Sequence, residues 1–274
     1  MARLCRFMEQ LAALNDGVTG DAERVAQLER VLDFDHVASH VRRAVAQAEL
    51  ACDPVPHLTV AELLPSTAYK ALIEAIPPPV FFDGEIERGQ EVRVPPRLAP
   101  LTSIMTWSFL TDVVVRPLVP MLIARFEEPL GSSTRARFPS LPSFADWDVE
   151  IALIDGRIVR RLPGYSSAVA RDRSRDFLSG VLHLARIDDG EDFGSSLHGR
   201  SMPFRANTLL VFHGPAGAHA YLPIPTAVEA ERYAYEFGVR LTPRDRARLA
   251  DRSAKGQGPD GIGVNGKQPY PPPQ

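Results

Sequence analysis

Near residue 148 the apolar residues of this chain stop recurring every three or four positions and begin to alternate, and no other feature narrows the fold as much. Before that point Val25, Leu28, Val31, Leu32, Val37, Val41 and Val45 keep helical spacing, which predicts one amphipathic helix or a pair over 21–50. The run from His57 to Leu64 reads as a strand. Pro65-Ser66-Thr67 then opens a helix that continues from Ala68 to Ile76 and stops at Pro77-Pro78-Pro79. Residues 101–128 form a second helical region, expected to bend or split at Pro117 and Pro120. After residue 148, Val149–Ile154 and Arg157–Arg161 flank Asp155-Gly156, a pair suited to a tight hairpin turn. Further strands are expected at Phe177–Ala185, Thr208–Phe212 and Tyr233–Val239. Helices first and strands after them predict an α+β fold, an antiparallel β unit with helices packed on it.

Composition removes several functional classes. A net charge of −3 supplies no general attraction to nucleic acid or anionic membranes, and 45% hydrophobic residues suit a globular core. Cys5 and Cys52 are too few for a disulfide scaffold. Met1–Asn15 lacks an apolar run of signal-peptide length, and Asp112, Arg116, Pro117, Pro120 and Arg125 interrupt the apolar stretch Ile104–Phe126. The expectation is a soluble cytoplasmic protein with neither a nucleic-acid nor a membrane partner.

Some motifs mislead. Gly261-Ile262-Gly263-Val264-Asn265-Gly266 with Lys267 imitates a phosphate loop, but Gln268 and a proline-rich run follow where a helix should begin. Gly164-Tyr165-Ser166-Ser167-Ala168 lacks the closing glycine of a nucleophile elbow. His36 and His40 have the spacing of a metal pair without a third ligand, so a solvated pair is expected.

The informative constellation runs from Arg161-Leu162-Pro163-Gly164-Tyr165 to Ala170-Arg171-Asp172, then through Phe177–Ala185. Phe193–His198, Asn207–Phe212, Ala218-His219 and Glu231-Arg232-Tyr233 follow. In order and spacing these segments resemble the iron(II)- and 2-oxoglutarate-dependent oxygenases, especially the prolyl-hydroxylase-like branch. The resemblance spans most of the chain. It implies a double-stranded β-helix, or jelly roll, carrying N-terminal helices. Residues 1–55 would form a helical segment, 56–253 the oxygenase-like domain with a helix from Thr242 to about Ser253, and 254–274 a disordered tail. It also implies iron(II) as cofactor and 2-oxoglutarate as cosubstrate. Asp172 would be the carboxylate ligand and His219 the distal imidazole. Arg232 would pair with the far carboxylate of 2-oxoglutarate, a task for which a planar guanidinium is suited.

One position departs from the pattern. Ala170 stands where the family has its first histidine ligand, and a methyl group cannot donate to a metal. His183 falls where prolyl hydroxylases have a tyrosine that helps hold the keto acid, and His198 falls in the following turn. Alternation places Val181, His183 and Ala185 on one strand face. His183 is therefore open to three readings: a polar core residue, a cosubstrate contact or a substitute ligand. Two functions follow. One is a hydroxylase-like oxygenase with an incomplete facial triad, acting on a small molecule or a peptide. The other is a catalytically inactive jelly-roll homologue that serves as a binding or partner protein, supporting an active paralogue; a homo- or hetero-oligomer is open under either. The segment from Pro77 to Pro100 is the expected substrate cover.

Overall fold

The computed structural model describes residues 19–86, 89–94, 96–97, 99–137, 151–165, 178–186, 190–213 and 219–241. Helices α1 (Thr19–Val31), α2 (Phe34–Gln47) and α3 (Ser66–Glu74) share the first half with strands β1 (Leu50–Ala51), β2 (His57–Val60) and β3 (Gln90–Arg93). A continuous helical run follows: α4 (Leu101–Phe109), a π-helical segment (Leu110–Val115) and α5 (Arg116–Arg125), then α6 (Glu127–Arg137). Strands fill the remainder: β4 (Ile151–Arg161), β5 (Leu178–His183), β6 (Ser195–Leu197), β7 (Arg200–Met202), β8 (Thr208–Phe212), β9 (His219–Tyr221) and β10 (Arg232–Leu241). The expected α+β character is present, with antiparallel pairing throughout the described strands.

Seven strands form one sheet in the order β1-β2-β8-β5-β10-β4-β3, and three form a second in the order β7-β6-β9. Alternation along the central strands sends side chains to two different cores. Leu178 and Leu182 of β5, Leu209 and Val211 of β8, and Tyr235, Phe237 and Val239 of β10 pack with Val37, Val41, Leu72, Trp107, Leu110, Leu118 and Leu122 of the helices. The opposite face sends Val181, Leu210, Phe212 and Ala234 against Leu197 and Tyr221 of the small sheet. The molecule is thus layered: helices, large sheet, small sheet. A polar interior, described below, lies between the two sheets.

Several expectations change on contact with the structure. Asp155-Gly156 is not a hairpin turn. β4 runs unbroken through it because both halves pair with β10, and the dipeptide is accommodated as a bulge where the register shifts between Glu236 and Gly238. Residues 101–125 are not split at the prolines. Pro117 stands in the first turn of α5, directly after the π-helical turn at Leu110–Val115, where a missing N–H is tolerated, and Pro120 is carried within α5. This run, Leu101–Arg125, is apolar and long enough to cross a bilayer by length, yet most of it is buried against the sheet as a core element. The Pro77–Pro100 segment is not wholly a loop, because β3 within it pairs with β4 at the sheet edge. The helix expected from Thr242 and the 254–274 tail lie outside the described residues.

Candidate functional site

The small sheet depends on tight turns and close approach. His198 and Gly199 both take positive φ, +48° and +85°, and close the two-residue turn between β6 and β7. His198 is exposed there, which is a turn role rather than a site role. A Cβ on Gly194 would lie 2.2 Å from the Met202 carbonyl oxygen, so only glycine lets the chain enter β6 beside β7. At the start of β8, Asn207 (φ +54°) accepts from the Leu64 amide at 3.0 Å and donates from Nδ2 to the Leu64 carbonyl at 2.7 Å. The asparagine of the Asn-x-x-x-x-Phe run therefore ties the strand to the loop before α3.

Between the sheets the large sheet presents Arg157 and Arg161 from β4, Arg232 and Glu236 from β10, and His183 from β5. Arg157 is held by Glu236 (2.9 and 2.5 Å) and Glu91 (3.4 Å), and the Tyr221 hydroxyl donates to Glu236 at 2.6 Å. Burial opposes the charge on Arg157, but Glu236 and then Glu91 outweigh it and hold the guanidinium above its ordinary pKa. This arginine is neutralised locally.

Arg161 is not. Its register partner across the ladder is Arg232, so two guanidinium-bearing residues sit side by side on one inner face. Arg161 is completely buried, donates from Nη1 to the carbonyls of Phe193 (3.1 Å) and Gly194 (3.3 Å), and lies 4.0 Å from the centre of the Tyr221 ring. Its Nε and Nη2 have no hydrogen-bond partner among the described residues. Burial is the largest influence and pulls its pKa below the ordinary value. Tyr221, Tyr165 and Glu236 oppose that shift, and the like charge of Arg232 adds to it.

Each predicted residue can now be placed. His183 is buried and shares a face with Val181, as alternation required; that face is the inner one, and His183 Nε2 lies 3.2 Å from Ser195 Oγ of β6. Burial, with Arg161 adding, pushes its pKa down to about 3, so it is a neutral imidazole at ordinary pH. Arg232 is also buried, but donates to the carbonyls of Asp192 (3.4 Å), Glu231 (3.3 Å) and Gly190 (3.3 Å), which anchors the 190–192 loop. Phe204 gathers this side of the site: its ring centre is 5.3 Å from that of His183, 4.9 Å from the Arg232 guanidinium carbon and 5.7 Å from that of Arg161. His219 is half-buried at the start of β9, stacked on Phe212 at 5.2 Å and edge-on to Tyr221 at 4.9 Å. It joins the arginines through Tyr221. Asp172 and Ala170 lie outside the described residues. Among the described residues no three His, Cys, Asp or Glu side chains form a metal-binding group.

Arg161 is the residue that the motif reading passed over, quoted only as the head of Arg-Leu-Pro-Gly-Tyr. The alternation of Arg157, Val159 and Arg161 opposite Ile158 was the available signal. Elsewhere the histidine pair is solvated only in part: His36 is exposed as expected, whereas His40 is half-buried with its Nε2 2.9 Å from the Glu62 carbonyl oxygen.

No family model matches this sequence, and no curated protein matches it. Solved structures with a similar chain course include a prolyl hydroxylase from Trichoplax adhaerens in complex with a hypoxia-inducible-factor oxygen degradation domain peptide fragment. It is 11% identical and covers 82% of this chain and 95% of its own, with a TM-score of 0.45. A Pseudomonas putida prolyl-4-hydroxylase is 17% identical over 74% of this chain and 98% of its own, with a TM-score of 0.40. HygX from Streptomyces hygroscopicus, with nickel and 2-oxoglutarate bound, is 11% identical over 68% and 83%, with a TM-score of 0.38. Likeness at this level assigns no activity to the chain.

Proposed function

We propose that this chain is a hydroxylase-like, iron(II)- and 2-oxoglutarate-dependent oxygenase of jelly-roll type, with an incomplete metal triad. The observation that carries the reading is the buried Arg161 guanidinium between the sheets, whose Nε and Nη2 have no hydrogen-bond partner among the described residues, with His183 and Arg161 against the same Phe204 ring. A dicarboxylate suits that interior, because burying a guanidinium without a counter-charge is costly and a carboxylate removes the cost. Iron(II) suits it less well. His219 and Asp172 would hold it, yet Ala170 offers no donor and the described residues supply no three-ligand group. No step is therefore derived through the metal. The roles assigned to this chain's own residues are to bind the acid at the Arg161 guanidinium, to exclude water with Phe204, Tyr221 and Phe212, and to keep His183 uncharged beside it. The substrate class under this reading is a small molecule or a peptide side chain.

The second reading, an inactive homologue that binds a ligand or partner, draws on Ala170 and on the same shortage of ligands. Metal analysis of the purified protein, with and without 2-oxoglutarate, combined with an assay for succinate release under iron(II) and oxygen, separates the two. Stoichiometric iron and succinate release are expected for the oxygenase. Binding of 2-oxoglutarate without iron uptake or succinate would establish the second reading in its place.

A further inference from the structure

We propose that the free edge of Arg161, formed by Nε and Nη2, is a carboxylate-binding site enclosed between the two sheets. The guanidinium has two usable edges, and only one is occupied. Nη1 is spent on the Phe193 and Gly194 carbonyls, and Tyr221 covers one ring face at 4.0 Å. The remaining Nε–H and Nη2–H point in parallel from the opposite side, which is the fork that takes a carboxylate through two hydrogen bonds. Both atoms are buried and neither has a partner among the described residues.

Among the described residues, the acid nearest in effect, Glu236, does not supply the missing charge. Glu236 already accepts from Arg157 and from the Tyr221 hydroxyl. Arg232, the residue that motif reading selects as the clamp, faces three backbone carbonyls of the 190–192 and 231 segments. A role limited to pinning the turn before β6 accounts for Nη1 alone and leaves two buried donors unmet, an arrangement that folded proteins rarely keep without a bound water, ion or ligand to meet them. The polar surroundings favour a small organic acid: Nδ1 of His183 also lacks a partner, and Tyr165 and Phe204 stand 5.8 and 5.7 Å from the guanidinium as apolar walls.

The site occupies the interior invoked for the proposed function, and only the identity of the acid rests on that reading. Capture itself needs neither iron nor turnover. The test is calorimetric titration of the full-length, chelator-treated protein with 2-oxoglutarate, L-glutamate, inorganic phosphate and the uncharged succinamide. The proteins compared are wild type, Arg161→Met, Arg161→Lys and Arg232→Met. The expected result is binding of a carboxylate but not of succinamide. Arg161→Met should weaken it at least tenfold, Arg161→Lys should weaken it because the paired geometry is lost, and Arg232→Met should change it less than threefold. A preference for 2-oxoglutarate over L-glutamate assigns the site to a keto-acid cosubstrate, and the reverse preference assigns it to an acidic substrate. Without ligand, Arg161→Met should melt no lower than wild type, since an unpaired buried charge has been removed. If it does not fold, Arg161→Lys carries the comparison. The inference is overturned if wild type binds no carboxylate, if phosphate binds more tightly than both acids, or if the loss falls on Arg232→Met instead. Carboxylate binding at Arg161 without succinate release would overturn the oxygenase reading alone. Succinate release by a variant lacking Arg161, with unaltered 2-oxoglutarate affinity, would overturn this inference alone.

Discussion

His183 illustrates how one buried side chain makes stability depend on pH. Its pKa is held near 3 in the folded chain, first by burial and then by Arg161, whereas in the unfolded chain it returns to the ordinary value of about 6.5. Between those values the unfolded state binds the extra proton. Stability contributed by the neutral ring is therefore complete above about pH 6.5 and is lost as pH falls toward 3. Urea unfolding at pH 7 and pH 5 should show wild type losing about 2 kcal/mol more than His183→Gln over that interval. Equal losses in the two proteins would refute the burial-driven shift. Alternation alone put His183 on one face with Val181, and the structure decided that this face looks onto the small sheet. Its surroundings were not, since Ser195, Phe204 and Arg161 reach it from three different segments.

At the scale of elements, β10 does most of the organising, because β4 and β5 both pair with it along most of its length. The alternation on either side of Asp155-Gly156 was readable, but its meaning was not: a glycine-containing dipeptide between two apolar runs marks a turn when the halves pair with each other and a bulge when they share a third strand. Only β10, more than seventy residues downstream, decides between them. Packing across β5 and β10 is close. A Cβ at Gly180 would lie 2.2 Å from Cε1 and Cζ of Phe237 on the helix-facing side. Gly180→Ala should thus lower unfolding free energy by about 2–3 kcal/mol through overpacking. Adding Phe237→Leu should recover part of that loss, with a coupling of about 1 kcal/mol in a double-mutant cycle. Strict additivity of the two changes in denaturant titration would show that the ring and the glycine are not in contact.

The whole molecule holds together because one sheet serves two cores. Its helix-facing side is apolar and sealed by α2, α3 and the Leu101–Arg125 run, while its other side, apolar near Val181 and Leu210, becomes polar around the arginines. Val37, Val41 and Val45 form the inward stripe of α2, each almost completely buried. Val41→Asp places a carboxylate in the apolar layer and should cost about 3 kcal/mol or more, measured by thermal or urea unfolding. Because the polar interior lies on the far side of the sheet, carboxylate affinity at a temperature where this variant is folded should stay within about threefold of wild type, the range expected for distant, independent sites.

From sequence alone came the α+β order, the amphipathic stripe of α2, the strands β5, β8 and β10, and the face His183 shares with Val181, because each follows from residue spacing within one local segment. Tertiary structure alone decided that Asp155-Gly156 bulges, that the helical run continues through Pro117 and Pro120 after a π turn, and that Arg161 lies buried beside Arg232 with one edge unmet among the described residues. Those outcomes depend on which distant strand or loop arrives at a given residue, and spacing along a chain carries no record of its neighbours in space.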